Sequence, residues 1–131
     1  PIIMSKLAMI DDNQEFCLVM QYFLENYFEM FTFADIDSFF ETLELEQYDL
    51  VLIDYTIPPY LTKKIENGCE LIRYLKKFLT APPILVLLTG WLSKYDLEEG
   101  LKICPEADGF LAKDTDLTEI LNQINQLIGN R

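Results

Sequence analysis

Residues 7–10, 50–53 and 84–88 are apolar almost without a break. Such short continuous runs are expected of strands covered on both faces, as in a parallel sheet sandwiched between helices. Residues 28–33 and 110–112 complete a set of five strand candidates. Amphipathic segments alternate with them and predict five helices. The first opens at Asp12 with Glu15 at capping distance and presents Phe16, Val19, Met20 and Phe23. The second opens at Ser38, with Glu41 at the same distance, and presents Phe39, Phe40 and Leu43. The third opens near Asn67 and runs through Leu71, Ile72 and Leu75. The fourth opens at Ser93, with Asp96 three residues on. The last opens near Asp116, carries a stripe of Leu117, Ile120, Leu121, Ile124, Leu127 and Ile128, and ends at Gly129. The pattern is (βα)5. Right-handed crossovers between parallel strands turn it into a doubly wound α/β sandwich.

The 131 residues predict one domain, spanning 1–131, with a single fold. Half of the chain is hydrophobic and its formal net charge is −12. Only ten residues are Lys or Arg, so the charge argues against direct binding of nucleic acid, whose phosphates need neutralising cations. The chain has no histidine, which excludes His-ligated zinc, His-ligated haem and Ser/His or Cys/His catalysis. Cys17, Cys69 and Cys104 are an odd set without close spacing and are read as buried, reduced thiols. The first residues lack the charged and apolar regions of a signal peptide, and no apolar run approaches the ~20 residues of a membrane span. The expectation is a cytoplasmic protein without a membrane partner.

Four apolar runs stop at residues able to handle phosphate. The run at 7–10 stops at Asp11 and Asp12, 50–53 at Asp54, 84–88 at Thr89 and Gly90, and 110–112 at Lys113. In a parallel sheet these strand ends share one edge, where ligands bind. Three carboxylates, a hydroxyl and an ammonium would therefore meet. Carboxylates hold a hard divalent cation, one carboxylate accepts a phosphoryl group, and the hydroxyl and ammonium hold its oxygens. Taken singly, Asp12 is an ordinary helix cap, Asp54 a turn residue and Lys113 a surface lysine. Their joint placement favours the functional reading.

These residues resemble the receiver domain of bacterial two-component response regulators over nearly the whole chain. The matching features are the acidic pair Asp11 and Asp12, Asp54 with Pro58 four residues on, Gly68 opening the third helix, Thr89 with Gly90, and Phe110 three residues before Lys113. The resemblance implies a flavodoxin-like sheet ordered 2-1-3-4-5. It implies phosphorylation of Asp54 by the phosphohistidine of a histidine kinase or a histidine phosphotransfer protein. It further implies Mg²⁺ held by Asp12, Asp54 and the Thr56 carbonyl, with Asp11 acting through water, and assistance from Lys113. Movement of Thr89 and Phe110 would then change the surface of the fourth helix, fifth strand and fifth helix. A homodimer on phosphorylation is one further outcome that the resemblance allows.

The chain departs from the family's pattern at three places. Asp114 stands where the family has a proline after a cis bond; before a non-proline residue that bond costs ~3–4 kcal/mol, so a trans bond is expected. Residues 60–67, including Lys63 and Lys64, form an insertion that either serves the site or is a tolerated surface loop. Asn and Gln replace the charges that winged-helix regulators carry on the last helix and use in dimerisation, which argues against that form of dimer. Trp91 either shields an acyl phosphate or packs on Tyr95. A haloacid-dehalogenase-type phosphatase would need a second acid at position 56, where Thr stands. A flavodoxin would need a neutral phosphate loop where Asp11 and Asp12 stand. A phosphorylation-independent adaptor would be expected to lack one of the site residues.

Overall fold

A computed structural model of the chain describes residues 3–44, 46–93 and 96–131, with Leu97 by its backbone alone. Five parallel strands run in the order β2-β1-β3-β4-β5: β1 (Lys6–Ile10), β2 (Glu29–Phe33), β3 (Leu50–Asp54), β4 (Ile84–Thr89) and β5 (Gly109–Ala112). The helices are α1 (Gln14–Leu24), α2 (Ile36–Thr42), α3 (Gly68–Phe78), α4 (Leu97–Ile103) and α5 (Leu117–Gly129). The α/β architecture and strand order agree with the sequence reading.

The period of two along each strand divides the core. Leu7, Met9, Leu50, Leu52, Val86, Leu88 and Leu111 pack with Met20, Leu24, Ile120 and Ile124 from α1 and α5. Ala8, Ile10, Val51, Ile53, Leu85, Leu87 and Phe110 pack with residues of α2 and α3 and with Cys104. Both faces of β3 are fully enclosed, which is why its sequence shows no alternation.

Helix starts differ from the sequence reading. Asn13, not Asp12, caps α1, its side chain accepting from the Phe16 N–H at 3.1 Å. The buried stripe is then Cys17, Met20 and Leu24, while Val19 is exposed. Asp35, not Ser38, caps α2; its carboxylate accepts from the Ser38 N–H and hydroxyl, and Ile36 enters the core. These bonds hold the Asp35 carboxyl below its ordinary value. Asp96, not Ser93, precedes α4, and its carboxylate accepts from the Ser93 N–H at 3.1 Å. At α1 and α2 an amide or acid closer to the first buried position takes the capping role, whereas Asp96 bonds Ser93 and not the first turn of α4.

The insertion has a defined conformation. A 3₁₀ turn, Leu61–Lys63, is closed by an antiparallel bridge between Tyr60 and Ile65. Lys64 adopts φ 56°, Ile65 is buried, and the Tyr60 ring lies against Phe40 with centroids 5.4 Å apart. Lys63 and Lys64 line a cleft with Arg73 and Lys77 of α3. This places them along the α3 face.

The cysteine reading needs correction. Cys69 and Cys104, 35 residues apart, form a disulfide, with Cα atoms 5.7 Å apart. Sequence spacing gave no hint of this, because the packing of α3 beside the end of α4 brings the two together. Cys17 is a buried free thiol, as expected. Its Sγ–H donates to the Asp11 carbonyl, and burial followed by the Asp11 charge pushes its pKa up to about 11.

Candidate functional site

The sheet edge gathers the predicted residues. β1 and β3 run side by side with Ile10 opposite Ile53, so Asp11 and Asp54 emerge together. β4 and β5 pair Thr89 with Ala112, which puts Lys113 beside them; its N–H donates to the Thr89 carbonyl at 2.8 Å. Asp11, Asp54 and Thr89 are buried, whereas Asp12 and Thr56 are exposed at the mouth.

Lys113 joins the two buried carboxylates. Its Nζ lies 2.6 Å from Asp11 Oδ2 and 3.5 Å from Asp54 Oδ2. The Phe16 ring lies beneath the ammonium, 4.9 Å from ring centroid to Nζ. The Lys113–Asp114 bond is trans, and Lys113 reaches both acids from it. Asp11 Oδ1 accepts from the Asn13 N–H at 2.9 Å, which orients its carboxylate. The Thr56 hydroxyl donates to Asp54 Oδ2 at 3.2 Å.

The pocket holds opposed electrostatic forces. Burial, then the Asp11 charge, raises the Asp54 pKa against the lowering effect of Lys113 and Thr56. Burial works against the Lys113 ammonium, but the hydrogen bond and charge of Asp11, then Asp54, more than offset it and its pKa is raised. One cation thus faces two buried acids, with Asp12 at the rim adding a third.

Carboxylate oxygens of Asp11, Asp12 and Asp54 lie within 4.8 Å of one another. Hard oxygen donors around a pocket in which Asp54 resists ionisation fit a small divalent cation, whose charge would relieve that repulsion.

Glycine positions define the walls. A Cβ on Gly68 would run into the Asp54 carbonyl, and the Gly68 N–H donates to the Tyr55 carbonyl at 2.9 Å, so α3 starts directly behind the acid. A Cβ on Gly90 would only touch Lys113 at an ordinary 3.6 Å, so Gly90 leaves the crevice open without being required by packing. A Cβ on Gly100 would overlap the Phe110 ring. Phe110 is buried against α4. Trp91 is half-exposed, packs edge-on against Tyr55 with centroids 5.6 Å apart, and donates its N–H to Thr89 Oγ1 at 3.3 Å. Its expected neighbour Tyr95 lies outside the described residues. The sequence reading missed the roles of Asn13, Tyr55 and Gly100, since only the folded neighbours reveal them.

The family model for the response regulator receiver domain matches residues 7–125. The chain belongs to this family. It is thus the receiver domain of a two-component response regulator. The receiver superposes on solved structures at low identity. The BeF3-activated DrrB receiver domain is 20% identical, with 97% of this chain and 99% of that one covered at a TM-score of 0.76. The receiver domain of the Francisella response regulator 1452 is 23% identical over 96% and 98%, with a TM-score of 0.75. A CheY-like receiver protein from Methanospirillum hungatei JF-1 is 19% identical over 97% and 95%, with a TM-score of 0.77. These likenesses speak for the fold. No curated protein matches the chain. No described helix of the receiver is long and apolar enough to cross a membrane.

Proposed function

We propose that the receiver takes a phosphoryl group onto Asp54 from the phosphohistidine of a histidine kinase or a histidine phosphotransfer protein, with Mg²⁺ as cofactor. The observation that carries this reading is the partly buried Lys113 ammonium bridging Asp11 and Asp54 at the ends of neighbouring strands.

With Asp54 Oδ2 engaged by Thr56 and Lys113, Oδ1 is the oxygen that attacks phosphorus. The P–N bond breaks and its electron pair returns to the imidazole of the donor. Lys113 supplies positive charge to the phosphoryl oxygens as they arrive, which offsets repulsion between anions. Asp12, Asp54 and the Thr56 carbonyl would hold Mg²⁺, with Asp11 next to them. When bound, the ion supplies charge neutralisation of the phosphoryl oxygens. The Thr89 hydroxyl, which accepts from the Trp91 N–H, then turns to donate its proton to a phosphoryl oxygen. That shift acts on Phe110 and, through its contact with Gly100, on the α4-β5-α5 surface. The receiver is a switch whose catalysis is confined to its own phosphorylation and dephosphorylation. We assign it a cytoplasmic site of action, one domain over 1–131, a protein rather than a nucleic acid as direct partner, and a homodimer on phosphorylation.

The test is incubation with acetyl phosphate and Mg²⁺ followed by intact-mass measurement. One phosphoryl adduct is expected, and none in Asp54→Asn. Equal uptake by that variant rejects Asp54 as acceptor.

A further inference from the structure

The Cys69–Cys104 bond joins the two elements on which the switch depends. Cys69 is the second residue of α3 and follows Gly68, which abuts the Asp54 carbonyl. Cys104 caps the end of α4, one turn beyond Gly100, which abuts Phe110. The bond therefore runs from the phosphoacceptor's backing helix to the helix that touches the switch aromatic.

α4 has few anchors of its own besides that bond. It is seven residues long and has no side-chain cap bond at its start. Leu101 faces outward; among the described side chains of α4, Gly100 is buried against Phe110 of β5 and Ile103 is partly buried against the core. A helix this short gains little stability from its own hydrogen bonds.

Both sulfurs are buried, but their flank is polar. Glu106 Oε2 lies 3.9 Å from each Sγ, and Glu106 Oε1 pairs with Arg73 Nε at 3.1 Å. Arg73 sits one turn beyond Cys69, and both members of the ion pair are more than a third exposed. The cover is a solvated ion pair rather than an apolar seal, so a reductant meets polar, mobile side chains there, although the Glu106 carboxylate beside the sulfurs slows an approaching thiolate.

We propose that Cys69 and Cys104 are a modification site, cycled between disulfide and dithiol by exchange with a dithiol reductant, and that the state of this bond sets the freedom of α4. The cycling rests on the proposed function, which puts the receiver in a compartment where thiols are kept reduced. In the reducing direction an external thiolate bonds to Cys104 Sγ. The Cys69–Cys104 bond breaks with its electron pair on Cys69, whose negative charge the first-turn N–H groups of α3 favour, and Cys69 then takes a proton. The reductant's second thiol attacks the mixed disulfide, frees Cys104 as a thiol and leaves as an internal disulfide. Two electrons and two protons enter the protein. A small-molecule disulfide, through the reverse sequence, takes them back.

The test uses the full chain with dithiothreitol as reductant and glutathione disulfide as oxidant. Under native conditions, dithiothreitol should make two further cysteines reactive to N-ethylmaleimide by intact mass, and glutathione disulfide should remove them again. Amide exchange over residues 97–112 should be about tenfold faster or more in the reduced form. C69S/C104S should match the reduced form under either condition. If that variant does not fold, the reduced wild type carries the comparison. A bond that resists dithiothreitol in the folded chain, or exchange equal in the two forms, overturns the proposal. Neither readout involves phosphate. Absence of an aspartyl phosphate would therefore reject the proposed function and leave the dithiol result standing.

Discussion

The Asp54 pocket and the Cys69–Cys104 edge both unite side chains from distant parts of the chain, yet they are held differently. The pocket hangs from strand ends that are fixed by a sheet enclosed on both faces. Its groups stay in place although their charges conflict, and Lys113 is left to reconcile Asp11 with Asp54. The cysteine edge hangs from helix ends, one of them on a short helix, and a covalent bond keeps them together. The frame is held by the sheet where charge is concentrated and by a covalent bond where helix ends meet. Between the two regions lie Thr89, whose hydroxyl accepts from the Trp91 N–H, and Phe110, which abuts Gly100; under the proposed function a charge added to the first region would reach the second along them.

The largest expected break is at Lys113. Lys113→Ala should slow phosphoryl uptake from acetyl phosphate about 10²-fold or more, measured by the rate of mass gain. It should also cost about 1–3 kcal/mol in urea unfolding, because Asp11 is left buried without its ammonium. Unchanged uptake would shift the burden away from strand-end placement. Next is Gly100→Ala. Its methyl meets the Phe110 ring, so a loss of about 1–3 kcal/mol is expected with phosphoryl uptake on Asp54 preserved. A variant that loses uptake as well would show the two regions to be one unit.

A smaller effect comes from Asp54 itself. Its folded pKa is raised above the ordinary 3.8, so the stability linked to its protonated form is full below that value and is lost as pH rises through the folded pKa. In Mg²⁺-free buffer, Asp54→Asn should therefore gain stability over wild type as pH rises to neutrality, by about 1 kcal/mol at most in urea titrations. A constant difference across that range would remove the electrostatic conflict from the comparison. The smallest is at Trp91. Trp91→Ala should speed decay of the acyl phosphate about two- to fivefold by opening the pocket mouth to in-line water, followed by phosphate release at fixed Mg²⁺. Equal decay would leave Trp91 as packing for Tyr55.

The contrast also explains what could be read from the chain. Asp11, Asp54, Thr89 and Lys113 follow apolar runs, and parallel topology carries every such run to one edge, so their meeting was legible without coordinates. The core faces of α3 and α5 were legible for the same reason, since Leu71, Ile72, Leu75, Ile120 and Ile124 recur at helical spacing. Cap choice was not: Asn13 against Asp12 and Asp35 against Ser38 are decided by which residue reaches the first-turn N–H groups once a helix is seated. The disulfide was beyond sequence reasoning, because it depends on where two helices rest side by side. The same holds for Gly100, whose role exists only opposite Phe110.

The basic stripe along α3 has a consequence that begins before anything touches the protein. From Asp11 to Thr62 the chain carries twelve acids and no Lys or Arg, whereas residues 63–77 carry five cations and two acids. The charge is unevenly spread along the chain, and the cleft of Lys63, Lys64, Arg73 and Lys77, with Glu70 in its wall, gathers four of the cations. A charged body diffusing nearby feels a torque as well as a pull, and is turned before contact. Such steering acts on the rate of encounter and weakens as added salt shortens the reach of the field.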